Sequence, residues 1–213
     1  MGTTTTHIAD DLARIHKVIT RGLRVTREHA SAAVTDQSSG KAAHAGLLDF
    51  ARCTLSVLRS HHALEEMVAF PRLAKLTGAP FAELEAQHRE LLAAIDVADA
   101  AIVGDALESL ALAMSRIETQ WRAHIAIEER HFTIAAVDGA LDPAEQAALG
   151  RAVGEFAAQN SKPEELVLPF IIYNLDGADR AAMAGRLPPI VTEQLIPGPW
   201  RARWAPMEPL LLR

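Results

Sequence analysis

Two short patterns in this chain bring together side chains that hold metals. Residues 60–66 read Ser60-His61-His62-Ala63-Leu64-Glu65-Glu66, and residues 124–129 read His124-Ile125-Ala126-Ile127-Glu128-Glu129, so both contain His-x-x-x-Glu. On an α-helix four residues advance about 400° and about 6 Å, which leaves the two side chains about 40° apart on one face. An imidazole and a carboxylate so placed can grip one iron, manganese or zinc ion, and two such pairs on facing helices can converge inside a bundle. A single pair at this spacing is ordinarily a solvated surface pair. Two copies that each border an apolar stripe argue otherwise: Leu58, Leu64 and Val68 frame the first, and Ile117, Trp121 and Ile127 the second. Buried charges without partners cost several kcal/mol each, so these groups require a metal or a dense hydrogen-bond network.

Two further histidines lie on inward stripes. His16 follows Leu12 and Ile15 and precedes Ile19 and Leu23; His88 lies between Leu84 and Leu91/Leu92. One histidine from each of four segments and two carboxylates make six donors. That is enough for two metals with two histidines each and both carboxylates bridging.

Helices must position these residues. Alanine and leucine run through the first two thirds of the chain, while β-branched alternation and hairpin dipeptides are scarce, so the fold class is all-α. After a Thr-rich start, Asp10 and Asp11 suit the positive end of a first helix spanning about 7 to 34. The stretch Asp36-Gln37-Ser38-Ser39-Gly40 breaks it, and a second helix runs from about Ala42 to Leu76, interrupted at Pro71. Gly78 ends that helix, and Pro80 opens a third that runs to about Val103. Gly104-Asp105 marks a short link, and apolar spacing resumes from Leu107 to about Val137 as the fourth. Four long helices with short links predict an up-down-up-down antiparallel four-helix bundle over residues 1–140.

Residues 141–213 form an extension expected to pack on that bundle. Asp142-Pro143-Ala144-Glu145 is an N-terminal helix signal, and Ser161-Lys162-Pro163-Glu164 repeats it, which predicts two short helices. From Pro188 onward stand six of the chain's 11 prolines, so a meandering Pro-rich tail is expected. The apolar run Leu166 to Tyr173 must pack on something, and it is expected to cover one end of the bundle and narrow access to the metals.

Composition bounds the partners. The chain has 213 residues, 49% of them hydrophobic and 23% charged, a globular balance that can bury a core. With 21 Lys+Arg against 27 Asp+Glu the net charge is −6, which gives no footing for nucleic acid or an anionic membrane. No run of about 18 apolar residues suggests a membrane span. The single cysteine, Cys53, reads as a small buried hydrophobe, and one cysteine with no apolar leader points to a cytoplasmic setting.

The order His16, His61-His62-x-x-Glu65-Glu66 with Phe70-Pro71 following, then His88, then His124-x-x-x-Glu128-Glu129, resembles the hemerythrin-like (HHE cation-binding) family of non-haem di-iron proteins over about residues 7 to 137. Ferritin-like bundles differ, since they use Glu-x-x-His with lone glutamates on the other helices. The resemblance implies two iron ions bridged by oxo or hydroxo, with manganese or zinc as lesser alternatives. It assigns His16, His61, His88 and His124 as terminal ligands and Glu65 and Glu128 as bridging carboxylates. His62 with Glu66 has the same spacing as His61 with Glu65; aligning the two copies on their double glutamates selects His61 and Glu65, with His62/Glu66 the rival register. Oxygen-carrying members have a second histidine one turn after the one on the third helix, where this chain has Leu92. That departure favours reaction at the metals over reversible carriage of dioxygen.

His131, three residues after Glu128, is a candidate seventh ligand or a donor to a bridging carboxylate, and Trp121 a candidate shield for the cluster. His7, His29 and His44 lie near helix ends and are expected to be solvated. The function expected is an oxidoreductase that activates dioxygen or decomposes peroxide, with dioxygen, peroxide or a small molecule as partner and a monomer or homodimer as the assembly. The alternative is a non-catalytic module that binds or senses oxygen, nitric oxide or iron. A sensor ordinarily has an output domain and none is apparent, which tilts the expectation to the enzyme.

Overall fold

The computed structural model describes residues 7–35, 40–76 and 78–212. The Thr-rich start and the break at Asp36 to Ser39 lie outside the described residues. No strand occurs among the described residues, and none of the helices is long and apolar enough to cross a membrane.

Four long helices carry the candidate residues. They are α1 (Ile8–Thr35), α2 (Lys41–Leu64), α4 (Phe81–Val103) and α5 (Leu107–His131), with the short α3 (Phe70–Leu73) following α2. In packing, α1 touches α2 and α5, and α4 touches the same two, so the four surround one core. Val18, Ile19, Leu23, Phe50, Leu58, Leu91, Ile95, Leu110, Met114, Ile117 and Trp121 fill its length. Burying a side chain of this size stabilises the fold by about 1.5–3 kcal/mol. Arg27 Nε donates to Glu118 Oε2 at 2.8 Å and ties α1 to α5.

The second helix departs from the single rod that its periodicity predicts. Pro71 has no N–H, so the carbonyl four residues back loses its partner and the helix widens. Glu65–Ala69 form a π-helical turn in which the Phe70 N–H reaches the Glu65 carbonyl. The extra residue per turn lets Glu65 and Phe70, five apart, both be buried. Gly78, in the link that follows, takes φ +87°, a left-handed conformation that glycine adopts at least cost.

The fourth helix is shorter than its apolar spacing predicts. It ends at His131, and α6 (Ile134–Ala140) starts afresh after Thr133, whose hydroxyl accepts from Ala136 N at 3.2 Å. Next comes α7 (Pro143–Asn160), opened by the full capping box: Asp142 accepts from Ala144 N and Glu145 N at 2.9 and 2.8 Å, and Glu145 accepts from Asp142 N at 3.0 Å. The second capping signal does not operate. Ser161 closes α7, and α8 (Glu164–Tyr173) begins after Pro163 without a side-chain cap.

The apolar run of α8 packs along α2 rather than over the end that carries Glu65. Phe170 meets Phe50 at 5.0 Å between ring centroids, and it lies with Thr54 close to Gly22. Thr54 is seven residues, about 10 Å, from His61. The neighbour of the π turn is instead α7, whose Leu149 joins Ile8, Leu12, Leu64, Phe70, Leu73, Leu84, Phe132 and Val137 in a second apolar cluster. The proline-rich segment is also more regular than expected. After α9 (Gly177–Ala184) it folds into a π turn at Val191–Leu195, α10 (Arg201–Trp204) and a 3-10 turn at Ala205–Leu210 that lies against α2. Buried Ile196, Trp204, Met207 and Leu210 hold it there, and Trp204 Nε1 donates to the Ile196 carbonyl at 2.8 Å.

Candidate metal centre

Each long helix delivers its histidine to the same interior level. His16, His61, His88 and His124 are 4%, 5%, 0% and 0% exposed, and Glu65 and Glu128 are 1% and 0% exposed. The helical offset works on α2 and α5 as the spacing requires: His61 Nε2 stands 3.3 Å from Glu65 Oε1, and His124 Nε2 3.1 Å from Glu128 Oε1. The other oxygen of each carboxylate faces the opposite pair of helices. Glu65 Oε2 is 3.4 Å from His88 Nε2, and Glu128 Oε2 is 3.2 Å from His16 Nε2.

Donor atoms therefore converge in two groups that share both carboxylates. One comprises His16, His61, Glu65 and Glu128; the other comprises Glu65, His88, His124 and Glu128. Within each group all the donor atoms lie within 4.8 Å of one another. A metal–nitrogen or metal–oxygen bond of about 2.1 Å puts donors on one ion about 3.0 to 4.2 Å apart, so each group has the dimensions of a metal site. The bonding pattern says the same. Both oxygens of Glu65 and of Glu128, and Nε2 of His16 and of His61, are buried and have no hydrogen-bond partner. Orphaned polar atoms are rare in a core, and here all but those of Thr26 and Gln120 among the described residues gather in one place and are the donor types that bind iron, manganese or zinc.

The electrostatics of the cluster follow from burial. Desolvation pushes the Glu65 carboxyl well above the ordinary range, and the Glu128 charge adds to it. Burial would also raise Glu128, but the His124 and His16 imidazoles draw it well below. Desolvation and the neighbouring histidines hold His61 and His62 well below their ordinary value and lower His88. A metal ion bound here requires both carboxylates ionised, so it competes with a proton for Glu65.

A further layer orients the rings. Glu66 Oε1 is 2.9 Å from His88 Nδ1, Glu129 Oε1 is 3.2 Å from His16 Nδ1, and Gln87 Oε1 is 3.0 Å from His124 Nδ1. Each partner fixes which nitrogen faces inward. The two glutamate doublets thus divide their work alike: the first residue is buried, while the second, 40% exposed in Glu66 and 54% in Glu129, reaches a histidine on a neighbouring helix. Sequence reasoning missed Gln87 and the orienting role of the second glutamates; the repeated doublet was the available signal.

Trp121 is fully buried, with its ring 5.4, 5.6 and 5.8 Å from those of His16, His61 and His124, and its Nε1 donates to Thr20 Oγ1 at 2.9 Å. His131, half-buried at the end of α5, belongs to neither group of donor atoms. His62 is buried beside the cluster. Of the three histidines expected to be solvated, only His29 is exposed; His7 and His44 are half-buried against Asp138 and Asp105, at 3.1 and 2.5 Å. Cys53 is buried, which pushes its thiol up to about 12.

A cleft of about 420 Å³ lies in the surface beside the centre. It runs between the start of α1 and the end of α5 and is lined by Leu12, Ala13, His16, Glu128, Glu129 and Phe132 among others.

The family model for the hemerythrin HHE cation binding domain matches residues 7–133. Comparison with curated proteins and with solved structures found no match.

Proposed function

Because this chain belongs to the hemerythrin HHE cation-binding family, we propose that it is a non-haem di-iron oxidoreductase that activates dioxygen or decomposes peroxide. The observation that carries the reading is the split of each buried carboxylate: Glu65 has one oxygen toward His61 and the other toward His88, and Glu128 one toward His16 and the other toward His124. His16 and His61 would hold one iron, His88 and His124 the second, and Glu65 and Glu128 would bridge them, in an up-down-up-down arrangement favoured by the short link between α4 and α5.

Paired irons supply a two-electron redox change next to substrate. The chain's own residues do the rest. Glu66, Glu129 and Gln87 hold three imidazole rings in register, Trp121 and the apolar stripe exclude bulk water, and the cleft beside His16 admits a small molecule. That entry favours chemistry on a diffusing substrate over purely structural metal. Decomposition of peroxide balances by itself, two peroxides giving one dioxygen and two waters, whereas reduction of dioxygen draws on an external electron donor. One buried cysteine fits a reducing, cytoplasmic compartment.

The test is peroxide consumption and dioxygen release by iron-loaded protein, beside the Glu65→Ala and Glu128→Ala variants. Catalytic turnover that both variants abolish supports the reading. Stoichiometric binding of dioxygen or nitric oxide without turnover would replace it by the binding module.

A further inference from the structure

His62 is the histidine of the cluster to which the six-donor centre gives no task. It follows His61 on α2, so its side chain leaves the helix about 100° round from the His61/Glu65 stripe. It is nevertheless 1% exposed. Its ring lies over that of His88, with centroids 4.1 Å apart and planes at 17°, and stands edge-on to His124 at 5.3 Å.

Neither Nδ1 nor Nε2 of His62 has a hydrogen-bond partner. A neutral imidazole carries one N–H and one lone pair, so His62 buries both a donor and an acceptor unsatisfied. His16, His88 and His124 behave differently: each fixes Nδ1 on an outer side chain and turns Nε2 to the interior. A packing role alone would be served better by leucine or phenylalanine, which fill the same space without the two orphaned atoms.

A nitrogen of His62 lies within 4.8 Å of donor nitrogens on both His88 and His124, and the three form a group of fully buried imidazoles. Donors on one ion lie about 3.0 to 4.2 Å apart, so binding one ion would require the His62 ring to tilt out of its stack on His88. Leu92, one turn beyond His88 on α4, offers this position no donor from its own helix.

We propose that His62 is a metal ligand, the third nitrogen donor to the iron served by His88 and His124. The inference rests on the dinuclear reading above. It makes the two irons unequal: one has three imidazoles and the shared carboxylates, the other only His16 and His61 with the same carboxylates. The position open to substrate then falls on the His16 side, where the cleft arrives.

The experiment uses full-length protein and the variants His62→Leu and His62→Gln, loaded anaerobically with ferrous iron. Iron content, competition with a chelator, Mössbauer spectra and the melting temperature of the metal-free proteins are recorded. Wild type should hold two irons in distinguishable environments. In His62→Leu one iron should bind more than about 100-fold more weakly, beyond the upper end of what an orienting residue costs, and the spectra of the two irons should converge. The metal-free variant should melt no lower than wild type. If His62→Leu holds both irons with wild-type affinity and unchanged spectra, His62 is a packing residue and the proposal is overturned while the dinuclear reading stands. If wild type holds no iron pair, the proposal falls together with that reading. Should His62→Leu fail to fold, the same readouts on His62→Gln decide.

Discussion

Replacing Glu65 by glutamine should stabilise the metal-free protein while destroying the metal pair. Glu65 is 1% exposed, lies beside the Glu128 carboxylate, and has no hydrogen-bond partner for either oxygen. Burial, then the Glu128 charge, holds its pKa well above the ordinary 4.5. A carboxyl raised in this way binds its proton more tightly folded than unfolded. The stability it contributes is complete below pH 4.5 and is lost as the pH rises toward the folded value. At pH 7 the unfolded chain has shed the proton, and holding it in the fold costs about 1.4 kcal/mol per pH unit above 4.5, a ceiling of about 3 kcal/mol. Glutamine has similar shape and no proton to lose. Metal-free Glu65→Gln should therefore exceed wild type by up to about 3 kcal/mol at pH 7, an advantage that shrinks to about zero near pH 4.5. His61 and His62 titrate in the unfolded chain over part of this range, but both proteins share them and the difference cancels. The assay is urea unfolding followed by helical circular dichroism after chelation, at pH 5, 6 and 7. A difference that stays constant with pH, or a variant less stable throughout, would refute the electrostatic account of Glu65.

The remaining predictions concern the orienting residues, pH and the extension. Glu66→Ala and Glu129→Ala should each weaken iron binding about 10–100-fold without changing its stoichiometry, as measured by chelator competition, whereas Glu128→Ala should lose the pair; if Glu66→Ala loses it instead, His62 and Glu66 form the working register. Iron affinity should rise with pH between 5 and 7, because binding expels the Glu65 proton, and calorimetry in buffers of different ionisation enthalpy should record proton release. The metal-free protein should lose stability as pH falls below 6.5, since the unfolded chain takes up two protons that burial denies His61 and His62, against the one proton that Glu65 holds more tightly in the fold; acid titration that leaves its urea midpoint unchanged would contradict this. Gly46→Ala should lower stability by about 1–3 kcal/mol, because a Cβ there would stand 2.0 Å from the Pro206 carbonyl oxygen, while iron content stays the same, Gly46 being some four turns of α2 from His61.

Much of this arrangement is legible in the chain because helical periodicity and metal-ligand spacing obey the same 3.6-residue geometry. The stripe of Leu12, Ile15, Ile19 and Leu23 places His16 inward without further information, and His-x-x-x-Glu needs only a helix to bring its two groups together. The all-helical class follows from the same periodicity. The π turn at Glu65–Ala69 is less accessible. Pro71 marks a disturbance, but whether a helix bends, stops or widens there depends on what Phe70 packs against, and its neighbours Phe81 and Phe132 come from distant segments. The break at Phe132–Thr133 escapes for a similar reason, since apolar spacing continues through Val137 in a separate helix. In the C-terminal segment local proline content argues for irregularity, while the burial of Trp204 against α8 and of Met207 against α2 supplies order that no local signal carries. Gln87 follows the same rule, since its partner His124 sits on another helix, whereas the repeated doublet was a local signal for the second glutamates.

The central claim is tested most directly by the metal content and magnetism of wild-type protein purified without added metal. The account predicts about two irons per chain, spin-coupled to one another as carboxylate-bridged ions are, and loss of both coupling and the second iron on Glu128→Ala. A single zinc, isolated uncoupled iron, or no bound metal would contradict it.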